Sequence, residues 1–347
     1  MKEKRMDFEL MRLLAIVLVV FNHSQGWGFE LYQAPGVSQV NLNLSLLLGI
    51  VCKIAVPLFL LVSGGLLLDR EEPISVVLRK RVLRIAAVLV VFSAILYLFW
   101  WRWGYVQPSP KDFLRRLFSE GISAPYWYLY LYLGLMLLLP LLRPMARALE
   151  DRHFLYLAAL HLLLYGVAYS LGAAFGIGPP NGSLRLYLAE PYLFYFLMGY
   201  YLACRMDWQR FDRRKLGISW LLAAAAVAVM FALARLGLSR DGEIPINYHT
   251  SLIALPVFAV YASLHRLCEM HPPGPGLRRV LSELGGCVFG AYLLEGILRH
   301  YLGPLYEALQ PHIHVLPACM IWVLAVTACG LGLTWLMRRI PAVRKLL

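Results

Sequence analysis

Glu9-Leu-Met-Arg12-Leu-Leu-Ala-Ile-Val-Leu-Val-Val-Phe-Asn-His23-Ser24 decides the fold class. Between the two basic residues, Asn22 is the only polar side chain. A helix that is apolar all round is buried in a large core or sits in lipid. Nine more blocks of this kind follow, so ten spans are expected: 8–26, 43–68, 85–101, 125–142, 154–172, 185–204, 216–236, 248–267, 284–303 and 315–337. A helix needs about 20 residues to cross a hydrocarbon core about 30 Å thick. Strands are not an alternative, because the apolar runs lack the alternation that a closed barrel needs. The expected fold is an all-α, polytopic membrane helix bundle of about ten transmembrane helices.

Composition agrees. The chain has 347 residues, 60% hydrophobic and 15% charged, against about 45–50% and about 25% in soluble domains. That excludes a disordered tail, a collagen, a disulfide-rich secreted module and an ordinary cytosolic enzyme. The six cysteines sit in or beside apolar runs without a CxxC pair, so they read as small apolar fillers. The net charge of +13 would suggest nucleic acid in a soluble protein, but here positive flanks anchor the spans and no nucleic-acid partner is expected. Sorting Lys and Arg by the connections between spans puts 23 on the side of both termini and 8 on the other, with Arg12 and Lys53 inside spans. Both termini are therefore expected in the cytoplasm. The basic start followed by an apolar run lacks a small-x-small cleavage site, so it is expected to stay as the first helix. Lys111-Asp-Phe-Leu-Arg-Arg-Leu-Phe118 reads as a short amphipathic helix on the outer surface. With no repeat and no appended soluble domain, residues 1–347 are expected to form one membrane domain.

Arg12 and His23 are 11 residues apart, which is three turns plus about 20°, so they share a face at heights about 16 Å apart. Ionisable residues inside a membrane are costly and mark a cavity, a path or a partner. The competing reading is an Arg snorkelling to the interface and a His satisfied by a neighbouring helix.

At this point the chain resembles the acyltransferase 3 family of integral membrane acyltransferases. Arg12 and His23 match the family's Arg-x10-His opening helix. Val56-Pro-Leu-Phe-Leu-Leu-Val-Ser63-Gly64-Gly65 is similar to its second helix, and Lys80-Arg81-Val-Leu-Arg84 to the basic entry of the third. Tyr126-Trp127-Tyr128 through Pro140, then Tyr195-Phe-Leu-Met-Gly199-Tyr-Tyr-Leu202, continue the resemblance in order. One stretch departs: Ala291-Tyr-Leu-Leu-Glu295-Gly296 has Glu and Gly where the family often has His and Pro. Glu295 is a carboxylate inside a span at about the depth of His23. It is expected either to support His23 or to pair locally with Arg299, four residues on.

The resemblance implies a membrane O-acyltransferase that takes an acyl group, expected to be acetyl, from cytoplasmic acyl-CoA. The acceptor would be a hydroxyl of a cell-envelope or surface glycan, or of its lipid-linked precursor, at a bacterial plasma membrane. Such transfer needs a base for the hydroxyl proton or a transient acyl carrier, and His23 suits either role. His23, Arg12 and Glu295 are the expected catalytic residues. Arg12, Lys80, Arg81, Arg84 and Ser63 are the expected donor-binding residues, since coenzyme A carries phosphates. The basic cluster also fits plain membrane anchoring, Ser63-Gly64 a plain helix contact, Lys53 a snorkelling cation and Trp127 an interfacial anchor. The remaining histidines form no ligand cluster, so no metal is expected. The alternative class is a polytopic transporter or flippase for a glycan or lipid precursor, against which stands the absence of an inverted repeat.

Overall fold

The computed structural model describes residues 5–239 and 252–347. Lys2, Lys4, Arg240, His249 and residues 248–251 of an expected span lie outside them. Among the described residues all regular structure is helical. The helices are α1 (Met6–Asn22), α2 (Gln39–Cys52), α3 (Ala55–Leu67), α4 (Ile74–Arg102), α5 (Pro110–Arg115), α6 (Trp127–Ala148), α7 (Asp151–Phe175), α8 (Pro191–Tyr200), α9 (Arg213–Ser239), α10 (Ala254–Met270), α11 (Pro275–Leu309), α12 (Val315–Met337) and α13 (Pro341–Leu346).

Among the described residues seven helical segments are long and apolar enough to cross a membrane: Gln39–Leu67, α4, Ala124–Ala148, α7, Arg213–Leu238, α11 and α12. The other three expected spans are shorter helices: α1 and α10 with 17 residues each, and α8 with 10 before a π turn at Tyr201–Arg205. The expected window 8–26 ran past the helix end into His23-Ser24-Gln25-Gly26, and the window 185–204 began before the helix start at Pro191. His23 ends α1, and Pro191 opens α8 at the first helical position, where its missing N–H costs nothing. The expected span 43–68 is not one unbroken helix, since the chain turns at Lys53-Ile54 between α2 and α3. The short helix expected at 111–118 is present: the Ser109 hydroxyl caps α5 at the amide of Asp112 (3.3 Å), and a π turn continues it to Glu120.

Helix α1 is the centre of the bundle. It packs on α2, α3, α10, α11 and α12, burying Phe8, Met11, Ala15 and Ile16. The packing uses small residues where backbones meet, as helix contacts in lipid do. A side chain at Gly64 would overlap the Phe196 carbonyl, and one at Gly199 would overlap the Leu61 carbonyl, so α3 and α8 cross with their backbones in contact. Gly290 admits Thr334 of α12 against α11 in the same way. These crossings hold α1 and α11 side by side, which positions the site.

One end of the bundle collects basic groups. Arg5 pairs with Asp7 and reaches the Ala203 carbonyl (3.2 Å), while Asp7 also meets His265 (2.9 Å). Arg84 donates to the carbonyls of Leu346 (3.0 Å) and Leu347 (2.8 Å), drawing α13 against α4.

Candidate active site

α1 ends at His23 because the chain turns there. The Ser24 hydroxyl donates to the Phe21 carbonyl (2.7 Å) and accepts from the Phe29 amide (2.9 Å). Arg299 of α11 donates to the His23 carbonyl (2.6 Å), a cation at a helix C-terminus, where the dipole favours it. The imidazole is thereby presented from a fixed helix end.

His23 Nδ1 lies 3.1 Å from Glu295 Oε2. Glu295 Oε1 lies 2.8 Å from Arg299 Nε, a close ion pair whose N–H is not aimed at the oxygen. The carboxylate therefore meets both partners weighed for it, bridging the imidazole and the arginine one turn on. Glu295 is 1% exposed and the His23 side chain 17%. A carboxylate accepts, so in the neutral imidazole this contact places the proton on Nδ1 and the lone pair on Nε2.

A cavity of about 430 Å³ runs along α1. His23, Asn22, Lys53 and Trp127 line one part of its wall, and Arg12, Arg84 and Arg338 line another. Ser63 and Tyr128 also face it. The Arg12 guanidinium lies 3.3 Å from both oxygens of the buried Glu9, whose carboxylate occupies space that a side chain at Gly285 would fill. Tyr126 and Tyr292 tie α6 to α11, donating to the carbonyls of Leu293 (2.9 Å) and Pro125 (2.6 Å), and so fix Trp127 and Tyr128 in the wall.

Lys53 does not snorkel. It sits at the α2–α3 break and donates to Asn22 Oδ1 (2.7 Å), with its ammonium 4.3 Å from the centre of the Phe29 ring. With the Asn22 oxygen taken, its amide N–H groups are left for the cavity beside His23. Lys53 and Asn22 thus form a pair of donors next to the imidazole. Asn22 was visible in sequence as the only polar residue between Arg12 and His23, but no role could be read for it there.

Two expected donor-binding residues are not brought to the cavity. Lys80 is exposed at the π turn Leu78–Val82 and lines no part of the wall. Arg81 is engaged elsewhere, donating twice to Glu72 (2.8 and 2.6 Å), which also accepts from Arg143 (2.8 Å). The hydrogen bonds from Arg81, and after them Arg143, hold the Glu72 carboxyl down at about 2. This clamp fixes the turn between α3 and α4. Arg338, which sequence reasoning missed, takes the vacant place in the wall: it reaches the cavity from α12, distant in sequence from Arg12 and Arg84.

Among the described residues no group of three or more His, Cys, Asp or Glu side chains is placed to hold a metal. The arrangement offers an imidazole with a free Nε2, a carboxylate behind it, two donors beside it and three arginines along the cavity wall. A family model described as an acyltransferase domain matches residues 6–338. No curated protein and no solved structure matches the chain.

Proposed function

The chain belongs to the acyltransferase 3 family, and from that premise we propose that this membrane acyltransferase moves an acyl group, acetyl first among them, from cytoplasmic acyl-CoA to a glycan hydroxyl. The acceptor is a cell-envelope or surface glycan or its lipid-linked precursor, and the site is a bacterial plasma membrane. In this reading the helices cross ten times, with α1, α8 and α10 as short crossings and both termini in the cytoplasm. The observation that carries the reading is the single cavity lined by Arg12, Arg84, Arg338 and His23, with Glu295 bonded to the imidazole from behind. Along α1 its two parts are about 16 Å apart in height, which suits a thioester arm whose phosphates stay at the basic end.

The proposed chemistry uses groups already in place. His23 Nε2 takes the proton of the acceptor hydroxyl as that oxygen attacks the thioester carbonyl. The oxyanion that forms faces Lys53 and the Asn22 amide. Collapse breaks the carbon–sulfur bond and expels the coenzyme A thiolate, which receives the proton from Nε2. Glu295 holds Nδ1–H throughout and balances the transient imidazolium. A transporter or flippase is disfavoured, because the matched family is one of acyltransferases.

Mass analysis of envelope glycans from cells with and without the protein tests the proposal. The expected result is loss of one acyl substituent from one glycan when the protein is absent. Identical glycans in both would overturn it.

A further inference from the structure

A second cavity, of about 610 Å³, opens between α11, α12 and α13. Its wall carries four arginines, Arg279, Arg338, Arg339 and Arg344, against one carboxylate, Glu283. Among the described residues none of the four forms a salt bridge, whereas most other arginines at this end of the bundle, Arg5, Arg12, Arg81, Arg143, Arg147 and Arg205, are paired with carboxylates. Arg339 is held over the Trp335 ring at 4.1 Å, which fixes its guanidinium at the cavity edge. The bias of cations towards one membrane face accounts for arginines at this end. It does not account for four guanidinia lining one concave space with a single carboxylate, Glu283, against them and no salt bridge to it.

Arg338 lines both cavities. Its guanidinium lies 3.6 Å from the Cys287 sulfur and occupies the space left by Gly286, so it stands at the junction. Arg84 is its cationic neighbour on the first cavity's side. A ligand with several phosphates at one end and a neutral arm at the other matches this layout. Its phosphates would sit among the four arginines, and its arm would pass Arg338 towards His23.

We propose that the second cavity is the phosphate site of the acyl donor, holding the nucleotide end of coenzyme A through Arg279, Arg338, Arg339 and Arg344. This rests on the reading that acyl-CoA is the donor. It moves the donor's phosphates away from the Lys80–Arg81 segment and onto α11–α13. Guanidinium suits the task because its planar fork binds phosphate oxygens in pairs.

The test uses the full chain in nanodiscs of phosphatidylcholine alone and of phosphatidylcholine with phosphatidylglycerol. Binding of coenzyme A and of pantetheine, which has the arm but no phosphate, is measured for the wild type, for the triple variant Arg279→Gln/Arg339→Gln/Arg344→Gln and for Arg338→Gln. The three residues of the triple variant are exposed, so it should fold. The expected result is coenzyme A binding at least about tenfold weaker in both variants, with pantetheine binding unchanged in the triple variant. Unchanged coenzyme A binding in the triple variant overturns the site alone, and so does a triple variant whose only defect is lost retention of phosphatidylglycerol, which would make the cavity a lipid site. A wild type that binds no coenzyme A overturns the donor reading, and the site with it.

Discussion

Replacing Glu295 by glutamine keeps the shape of the side chain and removes one negative charge from a residue only 1% exposed. A hydrogen bond to a charged partner contributes about 1.5–3 kcal/mol, and each 1.36 kcal/mol is a factor of ten in rate. Losing that support for the imidazolium should slow transfer about 10- to 100-fold. The neighbouring arginine adds a second loss. Arg299 Nε lies 2.8 Å from Oε1, so the glutamine oxygen will turn to the guanidinium and its amide will face His23. An N–H aimed at Nδ1 forces the imidazole proton onto Nε2, the atom that must accept. Where a base is held in the wrong tautomer, losses reach about 10⁴. Turnover in nanodiscs should therefore fall about 10²- to 10⁴-fold, while acyl-CoA affinity stays at the wild-type value because Glu295 is not among the residues that line the cavity with Arg12, Arg84 and Arg338. Thermal unfolding of the variant controls for misfolding. A folded Glu295→Gln protein within about threefold of wild-type turnover would refute the dyad.

Arg12→Gln should weaken acyl-CoA binding about tenfold or more and lower its salt sensitivity; it also leaves Glu9 unpaired, so adding Glu9→Gln should restore thermal stability without restoring affinity. Gly199→Ala pushes a methyl group into the Leu61 carbonyl, and the parted α3–α8 crossing should cost about 1–3 kcal/mol or more, read as a lower unfolding temperature in detergent. For Glu72 the folded value of about 2 lies below its ordinary 4.5, so its contribution to stability is present above that ordinary value and is lost as pH falls towards 2. Thermal midpoints measured from pH 6 downwards should show this acid limb in the wild type and a reduced one in Glu72→Gln.

The helical class and the facing of Arg12 and His23 were legible because both follow from a short run of sequence: apolar blocks need lipid, and spacing by 11 returns to the same helix face. Lys80 and Arg81 stand away from the cavity for a reason that is not local in sequence. The segment advertises positive charge, but nothing in it shows that Glu72 folds back from the preceding turn to bind Arg81, or that Arg143 joins from α6. Arg338 and the Asn22–Lys53 bond were invisible for the same reason, since each depends on which helices become neighbours. Glu295 was legible only as two alternatives. Sequence spacing offers a partner at i+4 or a partner across the bundle, and a carboxylate with two oxygens meets both. Span ends were misplaced where a window of about 20 residues ran past the helix, as at His23-Ser24-Gln25-Gly26.

The central claim is that His23 serves as the base while an acyl group passes from acyl-CoA to a glycan hydroxyl. It is tested most directly by incubating purified protein in nanodiscs with radiolabelled acetyl-CoA and envelope glycan from cells that make the protein, with His23→Ala in parallel. The expected result is label moving from thioester to glycan as an ester with the wild type, and at least about 10²-fold less with His23→Ala, which should still bind coenzyme A. Equal labelling by both proteins would contradict the account, as would a wild type that consumes no thioester.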